Sequence, residues 1–305
     1  MTLHRFTFRA MAAENEVQVW GDRAPAEAAA RRAIAEVSRI EAKYSRYRAD
    51  SIVSRINAAA GGAPVAIDEE TRALLAYADA CWRESGGLFD ATSGVLRRAW
   101  NFEIARVPSD EELAPILARV GWQRVEIDGR GVRLALAGME LDFGGFGKEY
   151  AVDRAALALK ESGVQSALVN LAGDLAILAP QPDGKPWKVG IRHPRRDGLL
   201  ATLDVESGAI ATSGDYERFV EVAGMRHCHV LDPRTGRSAR GFQSVTVHGP
   251  SCLVAGSATT VAMLKGEREG FAWLDALGLA YLCVTESGKV SRRFDDKIFG
   301  PSRTS

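Results

Sequence analysis

The stretch DFGGFGKEYAVD, residues 142–153, sets three glycines and a lysine between an apparent strand and an apparent helix. It does not match the phosphate-loop pattern GxxxxGK followed by Ser or Thr, because no Ser or Thr follows Lys148. It also lacks the third glycine of the dinucleotide pattern GxGxxG. A glycine-rich turn into a helix presents backbone N–H groups that suit a phosphate, but glycines also let a chain turn sharply. On this stretch alone, both interpretations stay open.

Around this stretch, helical and strand patterns mix without a regular βαβ order. Apolar periodicity and capping residues predict helices over residues 24–44, 50–57, 68–85, 113–120, 147–162, 251–264 and 267–277. Short apolar or alternating runs predict strands over residues 14–20, 125–127, 132–136, 140–142, 166–171, 175–178, 187–192, 201–206, 219–222, 244–247, 280–285 and 289–294. This mixture predicts an α+β fold. Because no linker or repeat interrupts the chain, we expect residues 1–305 to form a single domain.

The composition is ordinary for a globular protein. Of 305 residues, 46% are hydrophobic and 26% are charged, and 39 basic residues balance 39 acidic ones. A nucleic-acid-binding protein usually shows a basic excess, so we expect no nucleic-acid partner. No apolar run is long enough to span a bilayer, and the first residues do not resemble a signal peptide. We therefore expect a cytoplasmic protein, or a periplasmic one if a leader has been removed.

Further segments place polar or charged residues in turns. In chain order they are YRADSIVSRIN (47–57), FDATSGVL (89–96), NLAGD (170–174), TSG (212–214), HVLDPRTG (229–236) and VAGSATTVAM (254–263). Each segment by itself is a common kind of turn or helix. Their order along the chain is far more specific than any one of them.

Together with DFGGFGKEYAVD, these segments resemble the ApbE-like FAD:protein FMN transferase family over residues 11–282. The family shows YRxDSxxSxxN, FDxTxGxL, DxxxxxKGYAxD, NxGGD, TSG, HxxDPxTG and ADALxTAL in the same order. The resemblance implies an α+β flavin transferase fold with mixed or antiparallel sheets packed with helices. It also implies that the protein binds FAD and Mg²⁺ and moves FMN to a Thr or Ser of an acceptor flavoprotein, with release of AMP.

The resemblance also assigns roles to individual residues. Gly145, through its carbonyl oxygen, and Thr260 match metal-binding positions. His229 is the candidate general base for the acceptor hydroxyl, because histidine titrates near neutral pH; a strand histidine satisfied by a neighbour is the alternative. Tyr47 is either a flavin contact or a core tyrosine at a helix end. The residues expected at the flavin nucleotide are Met11, Tyr47, Asp142, Lys148, Asp174 and Asp232, and Asp232 is also expected to shape the DPRTG turn.

The closing helix departs from the family pattern. The family carries there an Asp that binds Mg²⁺, with a Thr four residues on, so that both oxygens face one site. Here Thr260 is present, but Gly256 takes the Asp position and residues 251–264 contain no carboxylate. Ser257 would offer a neutral hydroxyl instead. The turn carboxylates that would otherwise reach the metal are Asp174, Asp215 and Asp232.

Two smaller departures fall in the same region: NLAGD replaces NxGGD, and MAA replaces MGT. Three hypotheses follow. The first is a transferase, with its metal bound differently from the family. The second is a noncatalytic flavin-nucleotide-binding protein or a weak FAD pyrophosphatase. The third, a structural domain with an empty pocket, is disfavoured by the retained residues Asp142, Lys148, His229 and Asp232.

Overall fold

A computed structural model describes residues 1–293. Within that range the helices are α1 (Arg23–Tyr44), α2 (Ile52–Ala58), α3 (Glu69–Glu84), α4 (Asp110–Leu117), α5 (Gly147–Glu161) and α6 (Cys252–Leu277), with short 3₁₀ turns at Ser93–Arg98 and Trp122–Arg124. The strands are β1 (Thr2–Ala10), β2 (Ala13–Gly21), β3 (Val125–Asp128), β4 (Gly131–Leu134), β5 (Ala167–Leu171), β6 (Asp174–Ile177), β7 (Trp187–Arg192), β8 (Leu199–Val205), β9 (Gly208–Gly214), β10 (Phe219–Val222), β11 (Met225–Cys228), β12 (Phe242–Gly249), β13 (Ala280–Thr285) and β14 (Val290–Arg293). The predicted α+β class is confirmed.

The main sheet has eight strands in the order β1-β2-β5-β6-β9-β12-β13-β14. Every neighbouring pair in it is antiparallel. The pairs β3–β4, β7–β8 and β10–β11 form separate two-stranded antiparallel sheets. The expectation of antiparallel sheets packed with helices is therefore confirmed.

Each face of the main sheet carries its own apolar cluster. On one face, α1, α5 and α6 pack against the sheet. On the other, Trp187, Val189 and Leu203 of the β7–β8 hairpin cover sheet residues such as Leu168 and Ile210. Burial of each large apolar side chain stabilises the fold by about 1.5–3 kcal/mol. The result is a layered arrangement of helices, sheet and hairpin. That residues 1–305 form one domain stays a prediction.

Asp153 fixes the position of α6 against α5. Its Oδ1 accepts a hydrogen bond from the N–H of Cys252 at 2.7 Å, and its Oδ2 accepts one from the N–H of Leu253 at 2.9 Å. The first N–H groups of a helix have no partner inside the helix, so this carboxylate caps α6 from outside. Since residues four apart share a helix face, Glu149 lies one turn before Asp153 and meets α6 at Gly256.

The predicted strand over residues 140–142 is wrong. The backbone N–H and C=O of Leu141 pair with the side-chain amide of Asn57, at 2.6 and 2.9 Å. The N–H of Asp142 donates to the carbonyl oxygen of Ala91 at 2.8 Å. These bonds satisfy the backbone without a partner strand. The Asn at the end of YRADSIVSRIN thus positions the chain just before Asp142.

Other element predictions need smaller corrections. The N-cap of α2 is Ser51, whose side chain accepts from the N–H of Ser54, so the helix begins two residues after the predicted start at residue 50. Strand β9 was missed, because its Gly and Ala residues have weak strand preference although they lie at the centre of the sheet. The two predicted closing helices are the two parts of α6, separated by a non-helical Gly266 (φ 72°, ψ −179°). Phe294, the end of the last predicted strand, lies outside the described residues.

Across residues 1–293, none of the helices combines the length and the apolar character that crossing a membrane would require.

Candidate functional site

A cavity of about 1610 Å³ is lined by the β1–β2 and β5–β6 turns, the loop before α5, the β7–β8 hairpin and the residues after β11. Pockets for small molecules are typically about 300–1,000 Å³, so this cavity has room for an extended ligand. Eight of the nine residues assigned from the sequence line it: Met11, Tyr47, Asp142, Gly145, Lys148, Asp174, His229 and Thr260. Their roles stay predictions, but the structure brings them together.

Asp232, the ninth residue, is not among the lining residues. Its Oδ1 accepts hydrogen bonds from the backbone N–H and Nε of Arg234, at 2.8 and 3.1 Å. Its own carbonyl oxygen accepts from the N–H of Gly236 at 2.8 Å. The structure therefore engages Asp232 in the DPRTG turn and does not bring its carboxylate to the cavity.

The DFGGFGK loop enters the cavity as a tight turn anchored by Asp142. The N–H of Gly144 donates to Asp142 Oδ1 at 2.8 Å, and Arg46 forms an ion pair with the same carboxylate. A Cβ at Gly94 would overlap the Asp142 side chain. Gly94, the glycine of FDATSG, is therefore required where this segment packs against Asp142 of the DFGGFGK loop.

Tyr47 is not a core residue, so that alternative is wrong. The residue is 77% exposed, and its hydroxyl accepts a hydrogen bond from the Arg46 guanidinium at 2.8 Å. The guanidinium carbon lies 4.9 Å from the ring centre. Arg46 thus holds the Tyr47 ring at the cavity, where its surface is free for a flat ligand.

Two tight turns at the cavity contain residues other than glycine at positive φ. Met11 (φ 53°) and Ala12 (φ 61°) join β1 to β2, and Ala172 (φ 50°) with Gly173 (φ 96°) joins β5 to β6. Two-residue hairpins of this type need positive φ at both positions and favour Asn-Gly. The MAA and NLAGD departures therefore place alanines where the backbone favours glycine. Since β2 pairs with β5, both turns lie at the same end of the sheet.

Lys148 and Asp174 form a buried ion pair, with 2.8 Å between Nζ and Oδ2. Asp174 is 3% exposed. Burial alone would lower the pKa of Lys148, but the carboxylates of Asp174 and Glu149 raise it above its usual value. The ammonium group therefore stays charged at neutral pH.

His229 directly follows β11, and its side chain is exposed at the cavity. Desolvation by the surrounding protein lowers the pKa of its imidazole and outweighs a hydrogen bond to the Arg218 backbone that would raise it. A neutral imidazole at neutral pH is able to accept a proton. The position and the protonation state both suit a general base.

Sequence reasoning missed Glu149, which fills the space that Gly256 leaves. A Cβ at Gly256 would lie 2.5 Å from Cγ and 2.8 Å from Oε1 of Glu149. Glu149 is 9% exposed, and its Oε2 has no hydrogen-bond partner within residues 1–293. Burial raises the pKa of Glu149 well above its usual value, and the negative charge of Asp174 raises it further. The signal was in the sequence, since KEYAVD has Glu where the family pattern KGYAxD has Gly.

Ser257 and Asp215, two of the groups considered as replacements for the missing carboxylate, have other partners. The Ser257 hydroxyl lies 2.9 Å from the hydroxyl of Tyr77, and Asp215 pairs with Arg195 at 2.5 Å. The Thr260 hydroxyl lies 3.3 Å from that of Ser213 and stays at the cavity.

No cluster of three or more His, Cys, Asp or Glu side chains suited to a metal occurs in the part of the chain that the structure describes. A cation here would instead rely on a few carboxylates, hydroxyls, carbonyls and water. This is the hard-oxygen donor set that Mg²⁺ accepts. The unpartnered Oε2 of Glu149 is a further sign that the site fits a cation.

Comparison with known proteins identifies the family of this chain. A model of the ApbE family matches residues 11–283. The FAD:protein FMN transferase of Vibrio cholerae serotype O1 is 31% identical over 266 residues, covering 85% of this chain and 80% of that protein. The crystal structure of the ApbE protein of Thermotoga maritima has a TM-score of 0.88 and 31% identity, covering 95% and 97% of the two chains. The flavinyl transferase ApbE of Pseudomonas stutzeri, in its apo form, has a TM-score of 0.86 and 32% identity, covering 98% of each.

Proposed function

This chain belongs to the ApbE family, and from that membership we propose that it transfers FMN from FAD to a Thr or Ser hydroxyl of an acceptor flavoprotein. The observation that carries the proposal is the cavity that gathers Tyr47, Lys148, Asp174 and His229. In the reaction, the hydroxyl oxygen bonds to the FMN phosphorus and the bond from that phosphorus to the AMP phosphate oxygen breaks. AMP leaves, and the hydroxyl proton passes to a base.

The flavin end of FAD is assigned to Tyr47 and Met11. The exposed ring of Tyr47, held by Arg46, is suited to contact the flat isoalloxazine ring. Met11, on the β1–β2 turn, offers a flexible thioether at the same cavity. Its N–H donates to Glu41 Oε1 at 2.7 Å, which fixes the turn against α1.

The pyrophosphate end is assigned to the loop before α5. Lys148 is charged and lines the cavity, and lysine is an effective point charge for phosphate. Asp142 shapes the turn that carries this lysine. Mg²⁺, when bound, neutralises phosphate oxygens in chemistry of this class. Asp174, the Thr260 hydroxyl and the Gly145 carbonyl are the assigned residues that would hold it.

The general base is assigned to His229. Its imidazole is exposed at the cavity and is neutral at neutral pH, so it is able to take the proton of the acceptor hydroxyl as the new phosphoester bond forms. Loss of that proton makes the hydroxyl oxygen a better nucleophile. His227, two residues earlier, does not line the cavity, and its ring packs at a tilt against Trp100 instead.

The test uses the purified full chain with FAD, MgCl₂ and a peptide library in which a central Thr or Ser has varied flanking residues. AMP is measured by chromatography and peptide mass by mass spectrometry. We expect AMP release that depends on the peptides, with an equal amount of peptide gaining the mass of FMN. The proposal fails if FAD is left intact under all of these conditions.

The absent carboxylate at Gly256 favours a second candidate, a noncatalytic flavin-nucleotide-binding protein or a weak FAD pyrophosphatase. Release of AMP and free FMN without peptide modification would identify the pyrophosphatase. A rise of the melting temperature with FAD, but no AMP, would identify the binding protein, because a ligand that binds the native state stabilises it. No thermal response to FAD would exclude all three functions.

A further inference from the structure

At the contact between α5 and α6, this chain has a carboxylate on α5, whereas the family pattern has one on α6. The family pattern has glycine at the position of Glu149 and aspartate at the position of Gly256. In this chain, the Glu149 side chain occupies the space that a side chain at 256 would take, with 2.5 Å from Cγ to the position of a Cβ. The two departures are therefore one reciprocal exchange across a helix contact.

We propose that Glu149 supplies, from α5, the carboxylate ligand of a divalent cation that α6 does not supply. The inference rests on the proposed function and names a ligand of that site. On this account the departures from the family pattern at residues 149 and 256 offset each other, and the metal site keeps a carboxylate ligand.

The first argument is the unpartnered oxygen. Glu149 is 9% exposed and lines the cavity, and its Oε2 has no hydrogen-bond donor within residues 1–293. A buried carboxylate oxygen without a partner is unfavourable, and native proteins provide a donor or a cation in such places. No described side chain serves as that donor for Oε2, so a bound cation would fill the role.

The second argument is the charge and chemistry of the neighbours. Lys148 is paired with Asp174 at 2.8 Å, so one positive charge stands against the two carboxylates of Asp174 and Glu149. When both carboxyl groups are ionised, one negative charge is left over, and a divalent cation would favour that ionised state. The hydroxyls of Thr260 and Ser213, 3.3 Å apart, add neutral oxygen donors at the same cavity. Hard oxygen donors of this kind select Mg²⁺ or Mn²⁺ over softer metals.

The third argument is the fixed register of the two helices. Asp153 binds the first N–H groups of α6, one turn from Glu149, and so holds Glu149 opposite Gly256. A ligand is useful only when its position is fixed to within a fraction of an ångström. The Asp153 contact provides that fixed position from the same helix.

The test measures binding of Mn²⁺ to the full chain from the electron paramagnetic resonance signal of the free ion. Binding is measured with and without FAD, and a sample of Mn²⁺ and FAD without protein serves as the blank. We expect the wild type to bind Mn²⁺ and Glu149→Gln to weaken binding by at least about 10-fold. Glu161→Gln, an exposed change at the end of the same helix, is the matched control and should bind as the wild type does. Equal binding by wild type and Glu149→Gln would overturn the proposal, as would absence of binding to the wild type.

A second variant covers the case in which Glu149→Gln does not fold. The double change Glu149→Gly with Gly256→Asp returns the carboxylate to α6 and removes the clash. We expect this variant to bind Mn²⁺ within about 10-fold of the wild type. A folded double variant that does not bind Mn²⁺ would contradict the idea that the two positions serve one ligand role.

The binding measurement is separate from the transfer assay. Glu149-dependent binding of Mn²⁺ in a protein that releases no AMP would support the ligand and reject the transferase. Transfer that requires Mg²⁺, in a protein whose Glu149→Gln variant binds Mn²⁺ normally, would support the transferase and reject the ligand. The two failures are thus distinguishable.

Discussion

The N–H of Cys252, at the first turn of α6, donates to the Asp153 carboxylate of α5 at 2.7 Å. The neighbouring N–H of Leu253 binds the other oxygen of the same carboxylate. Through these two bonds the last residue of DFGGFGKEYAVD orders the helix that carries Gly256 and Thr260. The contact joins the glycine loop to the closing helix.

Replacement of Asp153 with alanine should destabilise the protein. Both N–H groups would lose a charged acceptor at a partly buried position, and we expect the free energy of unfolding to fall by about 2–4 kcal/mol. Asp153→Asn keeps one acceptor and should lose less. Denaturation in urea measures both changes. A loss for Asp153→Ala no greater than that for the exposed control Glu161→Ala would show that the bonds do not stabilise the helix pair.

Glycine at two turn positions should stabilise the protein. Ala12 and Ala172 have positive φ, where a side chain costs about 1–2 kcal/mol. Glycine removes this cost, but it also gains freedom in the unfolded chain, which offsets part of the stabilisation. We therefore expect Ala12→Gly and Ala172→Gly each to raise the free energy of unfolding by about 0.5–1 kcal/mol. Ala13→Gly, in β2 next to the same turn, is the control and should destabilise by about 0.5–1 kcal/mol. Equal effects at residues 12 and 13 would contradict this account.

Stability should fall in acid partly through Asp68. Burial would raise its pKa, but hydrogen bonds from Lys43 and Thr71 outweigh burial and lower the pKa from 3.8 to about 2. A lowered folded-state pKa gives stability that is complete above the unfolded value of 3.8 and is lost as pH falls towards 2. Asp68→Asn keeps the N-cap of α3 and removes the charge. We expect the wild type to melt at a higher temperature than this variant above pH 5, and the difference to vanish by about pH 2. A difference independent of pH would refute the assignment.

His229 should matter for the reaction and little for the binding of FAD. We expect His229→Ala to lower kcat for FMN transfer by about 10²–10⁴-fold, the usual contribution of a general base. His227→Ala, beside it but away from the cavity, should lower kcat far less. Because the pKa of His229 is lowered from 6.5, the wild-type rate should already be at its plateau at pH 7 and fall only at lower pH. Isothermal titration with FAD and a pH profile of transfer check both points.

The sequence motifs predicted the family, the fold class and eight of the residues that line the cavity. Motifs such as HVLDPRTG and KEYAVD depend on local backbone geometry, which a linear pattern records well. Membership of the ApbE family and the α+β class are confirmed. The Asp232 carboxylate was assigned to the cofactor from its motif, yet it binds Arg234 inside its own turn. A pattern does not show in which direction a side chain points.

The errors came from contacts between distant segments. Residues 140–142 looked like a strand, but a side chain 84 residues earlier in the sequence pairs with Leu141. The sequence shows that α6 lacks a carboxylate, but it does not show that Glu149 of α5 fills the space beside Gly256. Both features depend on packing between elements far apart in the chain, which local patterns do not encode.

The close approach of Glu149 to Gly256 also restricts which substitutions the two positions accept during evolution. A glutamate at 149 and any larger residue than glycine at 256 compete for the same volume, so one change must precede the other. One arrangement has glutamate at 149 and glycine at 256, and the other has glycine at 149 and aspartate at 256. A change from one to the other passes either through two acidic side chains that crowd each other or through two glycines with no carboxylate. We expect each single step to lower either stability or cation binding. We therefore expect the two positions to change together, so that a relative that carries glutamate at 149 carries glycine at 256.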